Sequence, residues 1–113
     1  MHEMSIAEGI FSLVEEYAKK ENAKKVKLVG LEIGELAAIE VEALKLCFGF
    51  VSKNTIAENA IIETEIKVGI GWCKNCEKNV PMKTYQDCCQ QCGNYKIVPI
   101  TGSEMRVKYI DVI

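Results

Sequence analysis

Apolar and polar positions alternate along this chain with two different periods, and one stretch has neither. Between residues 4 and 20, Ile6, Ala7, Ile10, Phe11, Val14, Tyr17 and Ala18 recur at spacings of three and four, which predicts an amphipathic helix. Lys19 and Lys20 suit its last turn, where the helix dipole favours cations, while Gly9 costs about 1 kcal/mol within it. In KKVKLVGLEIGEL the branched residues Val26, Val29 and Ile33, with Leu28 and Leu31, predict a strand ending near Gly34. Residues 40 to 53 predict a second helix, with Val41, Leu44, Cys47, Phe48 and Val51 on one face and Glu40 and Glu42 at its positive start. AIIETEIKVGI then alternates, Ile62, Thr64, Ile66, Val68 and Ile70 against Glu63, Glu65 and Lys67, predicting a strand with one face buried.

From residue 71 to 93 the periodicity vanishes, and five of the six cysteines appear. Alternation resumes beyond residue 99, with Met105, Val107 and Tyr109 against Arg106 and Lys108. A closing strand needs a sheet to join, so the cysteine segment reads as an excursion from a sheet whose last strand follows it. The expected fold class is α+β: a small three-stranded sheet with two helices, plus an inserted zinc-ribbon-like domain built on four cysteines. The expected boundaries are 1–69, completed by 100–113, and 70–99 for the insert.

At 113 residues the chain makes one domain with a small appendage. Hydrophobic residues are 49% but aromatics only 7%, so its core is mainly aliphatic. The net charge of −2 and pI of about 5.5 argue against a nucleic-acid binder, which normally presents a basic face. No apolar run approaches the roughly 20 residues of a membrane span. MHEMSIAEGI has no basic start, so the expectation is a cytoplasmic protein whose cysteines are thiols or metal ligands rather than disulfides. With one histidine and no nucleophile–base constellation, the chain is not expected to be an enzyme.

CKNC (Cys73, Cys76) and CQQC (Cys89, Cys92) are Cys-x-x-Cys pairs with twelve residues between them. Two such turns facing each other form a tetrahedral sulfur site suited to structural Zn²⁺, with a rubredoxin-like iron as the open alternative. Gly93 fits a turn needing positive φ after the second pair. Metal binding supplies folding free energy on the order of 10 kcal/mol or more to a segment poor in apolar residues. Cys88 offers a competing register with Cys92; the spacing of the first pair favours Cys89 as the ligand. Cys47, on the helix face, is expected to be a buried small hydrophobe. Four lysines (Lys74, Lys78, Lys83, Lys96) against Glu77 and Asp87 are offset by the −2 charge of a Zn²⁺ tetrathiolate, so no basic footprint remains.

The single histidine stands at position 2. The Met1 amine, the His2 amide and imidazole Nδ1, and the Glu3 amide can chelate one ion in fused rings. Planar nitrogen ligation points to Ni²⁺ or Cu²⁺ rather than Zn²⁺, and affinity falls with pH because each ligand must lose a proton.

A chain that begins MHEMSIAEGI, continues with VGLEIGELAAIEVEAL, carries the two cysteine pairs and ends in GSEMRVKYIDV resembles the HypA/HybF family of nickel metallochaperones along its whole length. The resemblance implies a nickel domain with a small zinc domain inserted before the last strand. It implies nickel held by Met1, His2 and Glu3, with Glu40 as a further acidic position, and zinc held by Cys73, Cys76, Cys89 and Cys92. It also implies delivery of nickel to a [NiFe]-hydrogenase large-subunit precursor, a HypB-type GTPase as partner, urease maturation proteins as a further class of partner, and a homo-oligomer as one arrangement. One departure stands out. The family commonly has proline inside the second pair, and this chain has CCQQC. The rival reading is a zinc-ribbon protein- or nucleic-acid-interaction module without a nickel role.

Overall fold

A computed structural model describes residues 3 to 113. The elements run α1 (Glu3–Lys20), β1 (Val26–Gly34), a single 3₁₀ turn (Glu35–Ala37), α2 (Val41–Ser52), β2 (Ile61–Lys67), β3 (Ile70–Cys73), β4 (Lys78–Pro81), β5 (Ile97–Thr101) and β6 (Met105–Val112). One three-stranded sheet has the order β2-β1-β6 and a second the order β4-β3-β5. The strand after the cysteine segment therefore does return to the first sheet, as the sequence pattern requires. The chain separates into two compact units. One holds the described residues up to Leu31, Ile39–Thr64 and Val107–Ile113; the other holds Glu32–Ala38 and Glu65–Arg106.

In the helical unit, α1 packs against α2. Ala7, Ile10, Val14 and Ala18 fill the buried stripe of α1, and Leu44 and Phe48 that of α2. Val26, Val29 and Leu31 of β1 complete an aliphatic core. Lys25 and Ile113 exchange both backbone hydrogen bonds at 2.9 and 3.1 Å, the mark of antiparallel pairing between β1 and β6. Gly30 lies under the ring of Tyr109, which a methyl group there would push aside, and the Tyr109 hydroxyl donates to Glu63. Two helix-face expectations are corrected. Tyr17 is exposed and Cys47 only half-buried, because the stripe facing the core is narrower than the run of apolar residues.

The predicted strand through Ile70 is also corrected: it breaks, with β2 ending at Lys67 and β3 starting at Ile70. Its apolar face is only partly buried: Ile62, Thr64 and Ile70 are half-buried, while Ile66 is 52% and Val68 62% exposed. At the break, Gly69 packs against backbone: an added Cβ would lie 1.9 Å from the Met82 carbonyl oxygen, and the Met82 N–H donates to the Gly69 carbonyl at 3.0 Å. Gly69 lies within the cysteine unit, and its N–H donates to Glu35 Oε1 at 2.7 Å.

The cysteine unit is a small antiparallel sheet. Cys73 pairs with Lys78 of β4 and Ile97 of β5, and Gly71 with Val80. Its core is Leu36, Cys73, Val80, Met82, Cys89 and Ile97. The stretch that lost periodicity thus contains β3 and β4, each too short to display a period. Three chain segments meet at glycines: an added Cβ on Gly34 would lie 1.9 Å from the Gly102 carbonyl oxygen, and one on Gly102 2.5 Å from the Gly69 Cα. Leu36 N–H donates to Gly102 at 2.7 Å, so the LEIGEL stretch ends inside this unit.

Candidate metal centre

Both cysteine pairs sit on turns of the same design. Cys73 ends β3 and Lys78 begins β4, so Lys74 to Glu77 close a hairpin. Glu77 takes φ +49°, and Gly93, the equivalent residue after the second pair, takes φ +75°. The glycine at 93 met its expectation; the first turn forces the same left-handed conformation on a glutamate, which side chains rarely adopt. In the second turn Gly93 N–H donates to the Cys89 carbonyl at 2.7 Å and Cys89 N–H to the Asn94 carbonyl at 2.9 Å. The loop before it is clasped by Asp87, whose carboxylate accepts from Lys83 N–H (2.8 Å), Thr84 N–H (3.2 Å) and the Thr84 hydroxyl (2.7 Å). These bonds hold the Asp87 carboxyl below its ordinary pKa, the Thr84 hydroxyl foremost. Sequence reasoning missed this clasp, although Thr84-x-x-Asp87 is a local turn signal.

The turns bring Cys73, Cys76, Cys89 and Cys92 together, with all four sulfurs within 4.8 Å of one another. Cys73 and Cys92 are 3.5 Å apart, and Cys76 and Cys89 3.9 Å. A tetrahedron with metal–sulfur bonds of about 2.3 Å has sulfur–sulfur edges of about 3.8 Å. A disulfide would need about 2.05 Å. The donor set and its spacing therefore fit a tetrathiolate metal ion. Cys88 is half-buried and outside the group, and among the described residues no other cluster of ligand type forms.

The thiols are unequal. Backbone N–H groups, first that of Cys92 and then that of Gln91, point at Cys89 and bring its thiol down to about 6. Hydrogen bonding to Cys92, followed by burial, pushes Cys76 up to about 12. A cation that replaces the shared protons relieves both tendencies at once.

Of the residues expected at the N-terminal site, Met1 and His2 lie outside the described residues. Glu3 begins α1, and its Oε2 accepts a hydrogen bond from Glu40 N–H at 3.2 Å. Glu40 is the N-cap of α2, and its own Oε1 accepts from Glu42 N–H at 3.2 Å. The starts of both helices thus meet at two carboxylates.

Comparison with known proteins places this geometry. Residues 1–112 match the family model described as "Hydrogenase/urease nickel incorporation, metallochaperone, hypA". The chain is 47% identical over 112 residues to the hydrogenase maturation factor HypA of Dechloromonas aromatica, covering 99% of each, and 49% identical over 108 residues to that of an Azoarcus strain, covering 96% of this chain and 95% of the relative. It also superposes on the solution structure of the Ni metallochaperone HypA from Helicobacter pylori with a TM-score of 0.68 and 26% identity, covering 100% of this chain and 98% of that one.

Proposed function

The chain belongs to the HypA family of hydrogenase/urease nickel-incorporation metallochaperones, and from that premise we propose that it binds Ni²⁺ at its N-terminus and delivers it to a [NiFe]-hydrogenase large-subunit precursor. The Met1 amine, the His2 amide and imidazole and the Glu3 amide supply four nitrogens, the planar set that Ni²⁺ accepts and Zn²⁺ does not. Glu40 supplies a carboxylate beside Glu3 during loading and transfer. A terminal site releases its cargo by stepwise displacement of ligands by the recipient, which a closed cage resists. A HypB-type GTPase is the partner for loading, and urease maturation proteins are a further client class. The helical unit carries nickel, and Cys73, Cys76, Cys89 and Cys92 in the cysteine unit hold a structural Zn²⁺. The protein works in the cytoplasm and catalyses no reaction of its own.

The observation that carries this reading is the single histidine at position 2 of a chain that matches the family model from residue 1 to 112. The Glu40 N–H bond to Glu3 supports it, because it joins the N-terminal stretch to the acidic start of α2. The test is nickel titration of untagged protein against His2→Ala, followed by the absorption of planar Ni²⁺. The expected result is at least a hundredfold loss of affinity in the variant, with the planar band abolished. Equal affinity in the two proteins rejects the reading.

A further inference from the structure

The four clustered cysteines differ sharply in shielding. Cys73 and Cys89 are 0% and 1% exposed, Cys76 is half-buried, and Cys92 is exposed. The order follows from the turns. The first cysteine of each pair lies within the apolar core with Val80, Met82 and Ile97; of the second cysteines, Cys76 packs against that core and only Cys92 is exposed. Besides the Cys73 sulfur at 3.5 Å, what lies beside Cys92 is polar and exposed. The Asn75 amide lies 4.0 Å from its sulfur in an exposed contact, and Gln90 and Gln91 are exposed. A Cβ built on Gly93 would meet nothing within 4 Å. The second turn thus has a closed floor and an open outer side.

We propose that Cys92 is a modification site, the thiolate that soft electrophiles reach first and whose capture opens the metal centre and releases its ion. The proposal rests on the reading of the four cysteines as zinc ligands. With a maleimide as probe, the bond from Cys92 Sγ to the ion breaks as Sγ bonds to one alkene carbon. The other alkene carbon takes a proton from water, and zinc leaves as Zn²⁺ from the three remaining thiolates. No oxidant or reductant is needed. Cys73 and Cys89 are protected by the core they help to form, and their sulfurs become accessible only after the ion has gone.

The test uses the full chain carrying Cys47→Ser and Cys88→Ser, neither of which belongs to the cluster, loaded with one zinc per chain as verified by native mass spectrometry. One equivalent of N-ethylmaleimide is added in the presence of a colorimetric zinc chelator, and adducts are located by peptide mapping. The expected result is that most first adducts sit on Cys92 and that one zinc is released per adduct. In the unsubstituted chain, adducts on Cys47 or Cys88 leave zinc in place. A first adduct on Cys73, Cys76 or Cys89, or a Cys92 adduct that retains zinc, overturns the proposal. A chain that takes up no zinc overturns the reading of the centre itself, and the proposal with it.

Discussion

In the helical unit, the stripe Ala7, Ile10, Val14 and Ala18 meets Leu44 and Phe48 over a strand contributing Val26, Val29 and Leu31, and every one of these is an apolar side chain without a metal-ligating atom. In the cysteine unit the core has six members, and two of them, Cys73 and Cys89, are also candidate metal ligands. Leu36, Val80, Met82 and Ile97 are the aliphatic remainder. At about 1.5–3 kcal/mol for each fully buried large side chain, four residues offset little of the ordering cost of the forty or so residues around them. The difference teaches that burial alone suffices for the first unit, while the second has a four-cysteine cluster that a metal ion would tie into its core, so that metal binding there would also be folding.

Removing the metal is the most severe way to test that contrast, with an expected loss on the order of 10 kcal/mol confined to the cysteine unit. The chain's single tryptophan, Trp72, lies in β3 and reports on it. Excess chelator should abolish the near-ultraviolet circular dichroism of Trp72 and leave the helical signal of α1 and α2 standing. Loss of both signals together would erase the distinction. The reciprocal change is Phe48→Ala in α2, 2% exposed, with an expected cost of about 3–5 kcal/mol in denaturant unfolding. Its bound metal, measured by mass spectrometry, should stay at the wild-type ratio.

Gly34→Ala probes the place where three segments meet. Its new methyl would collide with the carbonyl of Gly102, which is backbone and cannot rotate away, so a loss of about 1–3 kcal/mol or more is expected in urea unfolding. Acid gives the smallest effect. The Cys89 thiolate, held down to about 6 by N–H groups, binds a proton as pH falls through that value, and the metal must then displace it. Metal affinity measured by competition should fall more steeply below pH about 6, by an added factor of about ten per unit. A slope unchanged across that pH would count against the N–H bonds to Cys89 as the cause.

The helices were legible in the chain because their apolar spacing persists over three or more turns, and α1 and α2 end within a residue or two of the expected positions. The Cys-x-x-Cys pairs were legible for a different reason: the spacing itself specifies the turn, and CQQC needs no proline to form it. What the sequence hid were features made by contact between distant segments. At the break, Gly69 meets the Met82 carbonyl and Glu35, thirteen and thirty-four residues away. The hydrogen bond from Glu40 N–H to Glu3 spans thirty-seven positions. Leu36 lies just past the expected end of a strand, yet it packs with cysteines that begin at position 73. No local period encodes such meetings.

Leu36 has one more consequence, for anyone who would move this four-cysteine cluster into another protein. The cysteine unit is not a contiguous cassette: it draws on residues 32–38 as well as 65–106. A peptide cut at the visible cysteine boundaries would leave behind Leu36 from the core, the Glu35 carboxylate that holds Gly69 N–H, and the Gly34 backbone nested on Gly102. The smallest portable version is therefore a two-piece graft, and insertions or chain breaks between residues 38 and 65 should be tolerated better by the graft than a trim at its apparent edge.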